Sequence, residues 1–297
     1  MPHLHHSVPG SFGSAFLTVT TGIMALMYLR AWLRLRSNSS GPTPPWRTCS
    51  FLVGLFLIWV AVASAFASLD HELLTAHMLK HLLLMTIAPP LIWLGEPVST
   101  LFHGLLHRPV QRALGLRFER RPLIGRIANV LGRPELCWSA AAATLIGWHI
   151  PSLFARGMQA PGWHFVEQSS FLVTGLLFWW PVIQPWPSVP RTDLSMILYL
   201  FFATLPCDVL SGFLVFCDRV VYPVYLSSSH MFGFSPLGDQ QCAAALMWTS
   251  VTVVYLVAGT ILTFRLLSQQ SGPENGSPHS ARHAVARRSV PPSLEAF

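Results

Sequence analysis

Long apolar runs dominate the chain and alternate with short polar segments. The runs lie at about 12–33, 49–69, 73–94, 136–150, 164–183, 194–216 and 242–267. A helix needs roughly 20 apolar residues to cross the hydrocarbon core of a bilayer, and most of the runs approach that length. They lack the alternating pattern of membrane barrel strands, whereas a helix pairs its own backbone groups, as a bilayer requires. The pattern predicts an all-α polytopic membrane protein with a bundle of seven transmembrane helices.

Composition excludes several classes of protein. Hydrophobic residues make up 52% of the 297 residues and charged residues only 10%, against roughly 25% charged residues in soluble domains. An ordinary soluble enzyme, a disordered chain and a collagen-like fibre are therefore excluded. The net charge of +7 reflects arginines placed between the apolar runs, so we expect contact with membrane lipid and no nucleic-acid partner.

The arginines also predict an orientation. They concentrate after the first, third and seventh runs, whereas the N-terminal segment and the turn after the second run contain no lysine or arginine. Since basic loops remain on the cytoplasmic side, the N-terminus is expected outside and the C-terminus inside. The predicted organisation is a short outer segment at 1–11, a membrane domain at 12–267, and a disordered cytoplasmic tail at 268–297 that is rich in Ser, Pro, Gly and Arg.

Histidines near the outer side are candidate metal ligands. His77 and His81 are four residues apart and share one face of the third predicted span, and Met85 continues that face. His149 ends the fourth span and His164 begins the fifth at a compatible depth. Imidazole binds copper in both oxidation states, and thioether or thiolate selects Cu(I). For each histidine taken singly, a hydrogen bond to a backbone carbonyl is an equally simple role.

Two cysteines and two isolated charges leave alternatives open. Cys217 and Cys242, at the outer ends of the sixth and seventh spans, are compatible with a disulfide, with metal thiolates, or with buried unpaired thiols. Lys80 and Asp208 are isolated charges within apolar runs, and pairing would offset their desolvation. A proton path or a snorkelling Lys80 explains them too. No catalytic triad, carboxylate pair or HExxH motif is present, so we expect a protein that is not an enzyme.

Several short segments, in a fixed order, resemble one family. They are residues 76–85 with 88–91 and 94–97, Trp148-His149-Ile150-Pro151, Trp163-His164 with Glu167, residues 178–182, residues 205–206 with 212–214 and 222–225, and residues 237–241 with 246–248. Together they resemble the multi-span CtaG-like cytochrome c oxidase assembly proteins of bacteria. Each segment is short, and the order and spacing make the match specific.

The resemblance implies a seven-span protein of the bacterial inner membrane that helps to form active cytochrome c oxidase. It implies that the protein handles copper on the periplasmic side, with an oxidase subunit and a periplasmic copper donor as partners. His77 and His81 match the paired histidines of the family, and His149, His164 and Asp239 match its outer polar positions. In one departure, Gln168 stands where a further histidine is expected.

Other functions compete with this interpretation. A haem b membrane cytochrome would use two histidines on different helices as axial ligands. A copper transporter or proton-coupled transporter is suggested by Lys80, Asp208 and the prolines Pro89 and Pro90, which should kink the third span. A purely structural partner protein is the remaining alternative.

Overall fold

The computed structural model describes residues 11–37, 44–105, 133–183, 194–226, 233 and 235–270. Within these ranges the regular structure is entirely helical, as the apolar runs predict. The arginine-rich loop after the third run and nearly all of the predicted N-terminal segment and tail lie outside the described residues.

Each predicted span is helical over most of its length. The α-helices are α1 (Ser11–Ser37), α2 (Pro45–Ala63), α3 (Leu74–Leu82), α4 (Ala88–Leu94), α5 (Pro97–Leu105), α6 (Pro134–Trp148), α7 (Pro151–Gln159), α8 (Pro161–Ile183), α9 (Leu194–Phe216) and α10 (Pro236–Gln270). Six of these begin at a proline. Proline suits the first helical position because its fixed φ is already helical and the missing amide hydrogen has no intrahelical partner there.

Five helical segments are long and apolar enough to cross a membrane, among the residues that the structure describes. They are Gly13–Ser37, Pro45–Ala63, Leu74–Leu94, Leu194–Phe216 and Pro236–Ser268. Helices α6 and α8, at the fourth and fifth predicted spans, are not among them. The structure therefore supports a helical membrane protein, and the count of seven spans and the orientation of the termini stay predictions.

In the second predicted span, the α-helix ends before the apolar run does. Helix α2 stops at Ala63, and a 3₁₀ helix follows over Ala65–His71. Ser64 caps this short helix, because its side-chain oxygen accepts a hydrogen bond from the amide of Phe66. The change of helix type places Asp70 in the interior, with 1% of its surface exposed.

The third predicted span is continuous but irregular. Helix α3 passes into a π-helix over Leu83–Ile87, and α4 continues from Ala88. Pro89 and Pro90 account for the wider turn before them, since neither has an amide hydrogen to donate to the preceding turn. The backbone at Met85 lies directly against α8, where only a glycine fits: a Cβ on Gly175 would lie 2.7 Å from Met85 Cα.

This third segment is the centre of the bundle. In its most apolar stretch 67% of the residues are buried, against 11–28% in the other four apolar segments. Helix α3 packs on α10, and α8 packs on the π-helix and on α4. The polar side chains of α3 therefore lie inside the bundle and not on its outer surface.

Candidate metal centre

A carboxylate from α10 fixes the start of α3. Asp239 Oδ2 accepts a hydrogen bond from the amide of Leu74 at 2.6 Å, and Oδ1 accepts one from the amide of Thr75 at 3.1 Å. The first-turn amides of a helix have no intrahelical acceptor, and a negative charge there is favourable. Asp239, a predicted site residue, therefore positions the helix that carries the histidines and does not join them.

The deep group consists of His77, His81 and Glu167. Helix α3 presents the two histidines four residues apart, and α8 presents the glutamate. Glu167 Oε1 lies 3.4 Å from Nε2 of each histidine, and the two Nε2 atoms lie 2.7 Å apart. All three residues are buried. One oxygen and two nitrogens thus converge, within 4.8 Å of one another.

Aromatic rings and a glycine enclose the deep group. The ring of His81 lies against Phe171, with 4.0 Å between centroids, and the ring of His77 lies against Phe154, at 4.9 Å. Helix α7 approaches Glu167 through Gly157, where a Cβ would lie 3.0 Å from Glu167 Oε2. The packing therefore restricts the rotamers of these three side chains and limits access of water.

The rim group consists of Asp70, His71 and His164. His164 Nε2 lies 3.0 Å from Asp70 Oδ2, and His71 Nε2 lies 3.7 Å from Asp70 Oδ1. The His71 side chain is 54% exposed, so this group reaches the surface. His164 also contacts the deep group, because its Nδ1 lies 3.4 Å from Glu167 Oε2.

The Lys80 ammonium lies within the rim group, where a metal ion would otherwise neutralise Asp70. It pairs with Asp70 Oδ2, lies 3.1 Å from His164 Nε2, and is buried. The predicted pairing of Lys80 with Asp208 is therefore wrong. Side chains of a helix lean toward its N-terminus, which directs Lys80 toward Asp70, whereas Asp208 lies on α9, which packs chiefly on α10 and α6.

Asp70 is ionised in this arrangement. Burial alone would raise the pKa of Asp70, but the hydrogen bond from His164 and the charge of Lys80 outweigh it. They hold the pKa of this carboxyl well below its usual range. The Lys80–Asp70 contact is thus a buried ion pair, whose two charges cancel.

Buried polar atoms without a hydrogen-bond partner concentrate at the two groups. Eleven such side-chain atoms occur among the described residues, and five belong here: Asp70 Oδ1, His77 Nδ1, His81 Nδ1, His164 Nδ1 and Glu167 Oε2. Folded proteins leave few buried polar atoms unpaired, and those that remain often mark functional sites. The converging atoms, Nε2 of His77 and His81 and Oε1 of Glu167, are not among them, so the unpaired atoms mark a buried polar cluster with unused hydrogen-bonding capacity.

The other predicted ligands lie outside both groups. His149 follows α6, and its Nε2 lies 3.3 Å from the sulfur of Met78. Met85 lies in the π-helix, within the hydrophobic core. Cys217 and Cys242 are unpaired, so the disulfide alternative is wrong, and Cys242 is exposed, not buried. Neither cysteine joins the deep group or the rim group.

Sequence reasoning missed Asp70 and His71 as members of a site. In the sequence, Asp70-His71-Glu72 indicates only the outer turn after the second apolar run, which contains no lysine or arginine. A signal was nevertheless present, because this acid and histidine directly precede the helix that carries Lys80, His77 and His81.

The deep group has the chemistry of a transition-metal site. Imidazole and carboxylate ligands bind first-row metals, and imidazole accepts both copper oxidation states. Two histidines four apart on a helix, with a glutamate from elsewhere, also form catalytic zinc sites. In those sites a glutamate that follows the first histidine acts as general base. Met78 stands at that position here.

The chain belongs to the family of cytochrome c oxidase caa3 assembly factors (Caa3_CtaG), whose model matches residues 26–269. The resemblance seen in the sequence is thereby confirmed. The matched region contains all of α2 to α9, and with them the deep group and the rim group.

Two curated relatives are similar over most of this chain. They are a protein of Mycobacterium bovis and a protein of Mycobacterium tuberculosis, both described as uncharacterized, and each is 22% identical over 244 residues. The alignments cover 80% of this chain but only 37% of each relative. No solved structure matches the chain.

Proposed function

We propose that this protein assists the assembly of cytochrome c oxidase by receiving copper at the deep group and presenting it to an oxidase subunit. Copper is the cargo in this proposal, and a periplasmic copper donor supplies it. The observation that carries the proposal is the convergence of His77, His81 and Glu167 inside the bundle of an oxidase assembly factor.

Charge balance favours a cation at the deep group. Lys80 already compensates Asp70, so Glu167 is the one carboxylate of the two groups without a cationic partner when the imidazoles are neutral. A buried charge without compensation is costly. A bound metal ion removes this cost and engages the imidazole nitrogens as well.

The arginine distribution supports a site on the periplasmic side. The predicted orientation places the start of α3 on the outer side, which is the periplasmic side of a bacterial inner membrane. The rim group then lies between the periplasm and the deep group, since His71 is exposed and His164 contacts Glu167. Copper from a periplasmic donor would meet the rim group first.

Geometry disfavours the haem alternative. Two axial ligands bind opposite faces of the iron, which keeps their nitrogens about 4 Å apart at metal–nitrogen distances of about 2 Å. The alternative requires histidines on different helices, whereas the two imidazole nitrogens that converge in the deep group, Nε2 of His77 and Nε2 of His81, lie 2.7 Å apart and belong to one helix. The transporter alternative loses one of its three motivations, because Lys80 is the ion-pair partner of Asp70 near the start of α3.

The experiment compares wild-type protein with the double variant His77→Gln and His81→Gln. We expect the variant to lose the copper held at the deep group, so that its copper content after purification falls, and cells that carry it to lose oxidase activity, at an unchanged amount of protein. The exposed residue His103 on α5 provides the control His103→Gln, which should retain both properties. Unchanged copper content and oxidase activity in the double variant would refute the proposal.

A further inference from the structure

A small cavity beside the deep group is lined by several side chains with soft ligand atoms. It lies between α3, the π-helix, α6, α9 and α10 and has a volume of about 40 Å³. Sulfur and imidazole side chains line part of its wall: Met78, Met85, Met247, Cys207, His81 and His149. A space of this size holds an ion or a few water molecules.

The hydrogen bonding of His149 fixes its tautomer. Nδ1 lies 2.7 Å from the backbone oxygen of Leu145. A carbonyl oxygen only accepts hydrogen bonds, so Nδ1 must carry the proton, and in the neutral ring Nε2 holds a lone pair. Histidines that bind metals are usually oriented in this way, with the second ring nitrogen donating to a carbonyl or a carboxylate.

That lone pair faces a thioether. His149 Nε2 lies 3.3 Å from Met78 Sδ, and both residues are buried. A thioether sulfur has no hydrogen to donate. Two electron-pair donors therefore face each other without a proton between them, an arrangement that a soft cation stabilises.

We propose that Met78 and His149 form a second metal site, which selects monovalent soft ions, Cu(I) above all, over Cu(II) and Zn(II). The proposal rests on the proposed function and deepens it, because it names the oxidation state of the copper. Thioether ligands select Cu(I). Among the described residues no carboxylate lines the cavity, so a divalent ion would bring an uncompensated second charge into an apolar environment.

The two sites adjoin each other. His81 belongs to the deep group and also lines the cavity, and Met78 lies between His77 and His81 in sequence on the same helix. A Cu(I) ion at Met78 and His149 would therefore lie beside the imidazole–carboxylate ligands, on the side of the cavity. From the deep group to this second site the ligands become softer, from carboxylate and imidazole to imidazole and thioether.

The test uses the full-length protein purified in detergent, without oxygen, and titrated with Ag(I) as a redox-inert soft ion, and separately with Zn(II). Leucine conserves the volume of methionine, so Met78→Leu removes the sulfur with little change in packing. We expect this variant to bind Ag(I) at least about tenfold more weakly at this site, with Zn(II) binding unchanged. X-ray absorption of the Ag(I) complex should show a sulfur ligand that the variant lacks. The control is Met196→Leu, which changes a buried methionine away from the cavity.

A second variant keeps the proposal testable if Met78→Leu folds poorly. His149→Gln should weaken Ag(I) binding at the same site, and the unfolding midpoint of each variant reports on folding. Unchanged Ag(I) affinity and a retained sulfur ligand in Met78→Leu would overturn the proposal, as would Zn(II) affinity that falls together with Ag(I) affinity.

A failure of the proposed function can be distinguished from a failure of the Met78–His149 site. The double variant His77→Gln and His81→Gln should retain the sulfur-ligated Ag(I) site while losing Zn(II) binding. If that variant also retains full oxidase activity, the deep group has no role in assembly, although the Met78–His149 site stands.

Discussion

The rim group and the deep group contain the same kinds of side chain but differ in their cation. Each brings a buried carboxylate and imidazole nitrogens within 4.8 Å of one another. In the rim group the Lys80 ammonium pairs with Asp70. In the deep group no lysine or arginine contacts Glu167, among the described residues. A cluster of acid and histidine is thus a metal-site candidate only where the protein does not supply its own cation.

The two carboxylates should consequently have separable roles. Asp70 and Lys80 form a buried ion pair that belongs to the fold. Glu167 faces two histidines and belongs to the candidate metal centre. Substitutions that remove one charge with little change in shape distinguish these roles.

The largest effect on stability is expected for Asp70→Asn. This change leaves the Lys80 ammonium buried without its anion, and the loss of one partner from a buried pair costs about 3–5 kcal/mol. The free energy of unfolding, measured in detergent, should fall by that amount, while copper binding by the fraction that remains folded persists. The control is Asp218→Asn at an exposed position, which should leave stability nearly unchanged.

The stabilisation by the Lys80–Asp70 pair should depend on pH. The pKa of folded Asp70 lies below its ordinary value of 3.8. The pair therefore stabilises the fold fully above that value, and its contribution is lost as the pH falls toward the folded pKa. The stability difference between wild type and Asp70→Asn should stay constant from about pH 7 to about pH 5 and narrow as the pH falls below about 4. A difference that stays constant down to about pH 2 would show that Asp70 is not the charged partner of Lys80.

Glu167→Gln should affect metal binding in preference to stability. The amide retains the shape of the side chain but lacks the charge that a cation needs, so we expect at least about tenfold weaker copper affinity. Copper competition titrations on the purified variant measure this change. Glu135→Gln, at an exposed position on α6, is the matched control. Equal affinities for Glu167→Gln and wild type would remove Glu167 from the ligand set.

A smaller effect is expected at the cap of α3. Asp239→Ala removes the acceptor for two first-turn amides and should cost about 0.5–2 kcal/mol. Asp239→Asn retains one acceptor oxygen and should recover part of this loss. Since the cap positions the helix of His77 and His81, copper affinity should follow the same order, as titrations of both variants would show. Identical unfolding of the alanine variant and wild type would contradict the capping role.

The sequence predicts the helices well, because hydrophobic runs report directly on burial in a membrane. The third and sixth predicted spans end within a residue of the observed segments at 74–94 and 194–216. The irregular turn before Pro89 was predictable from the missing amide hydrogens. The early end of α2 was not, because residues 65–69 of the 3₁₀ helix continue the apolar run of the helix before it.

The candidate site was predictable in part. His77 and His81 are four residues apart, so the sequence alone predicts that they share one face of the helix and that their rings lie close together. The Lys80–Asp70 pair depends on how the 3₁₀ helix folds back on α3, which no periodic pattern encodes. The role of Asp239 as a cap is likewise tertiary, since its acceptor atoms serve amides 165 and 164 residues away in sequence.

Copper K-edge X-ray absorption of protein purified from copper-replete cells tests the central claim most directly. The account predicts bound copper with imidazole nitrogen scattering that decreases when His77 and His81 are both changed to Gln. Protein that contains no copper, or copper whose imidazole scattering is the same in wild type and the double variant, would contradict it.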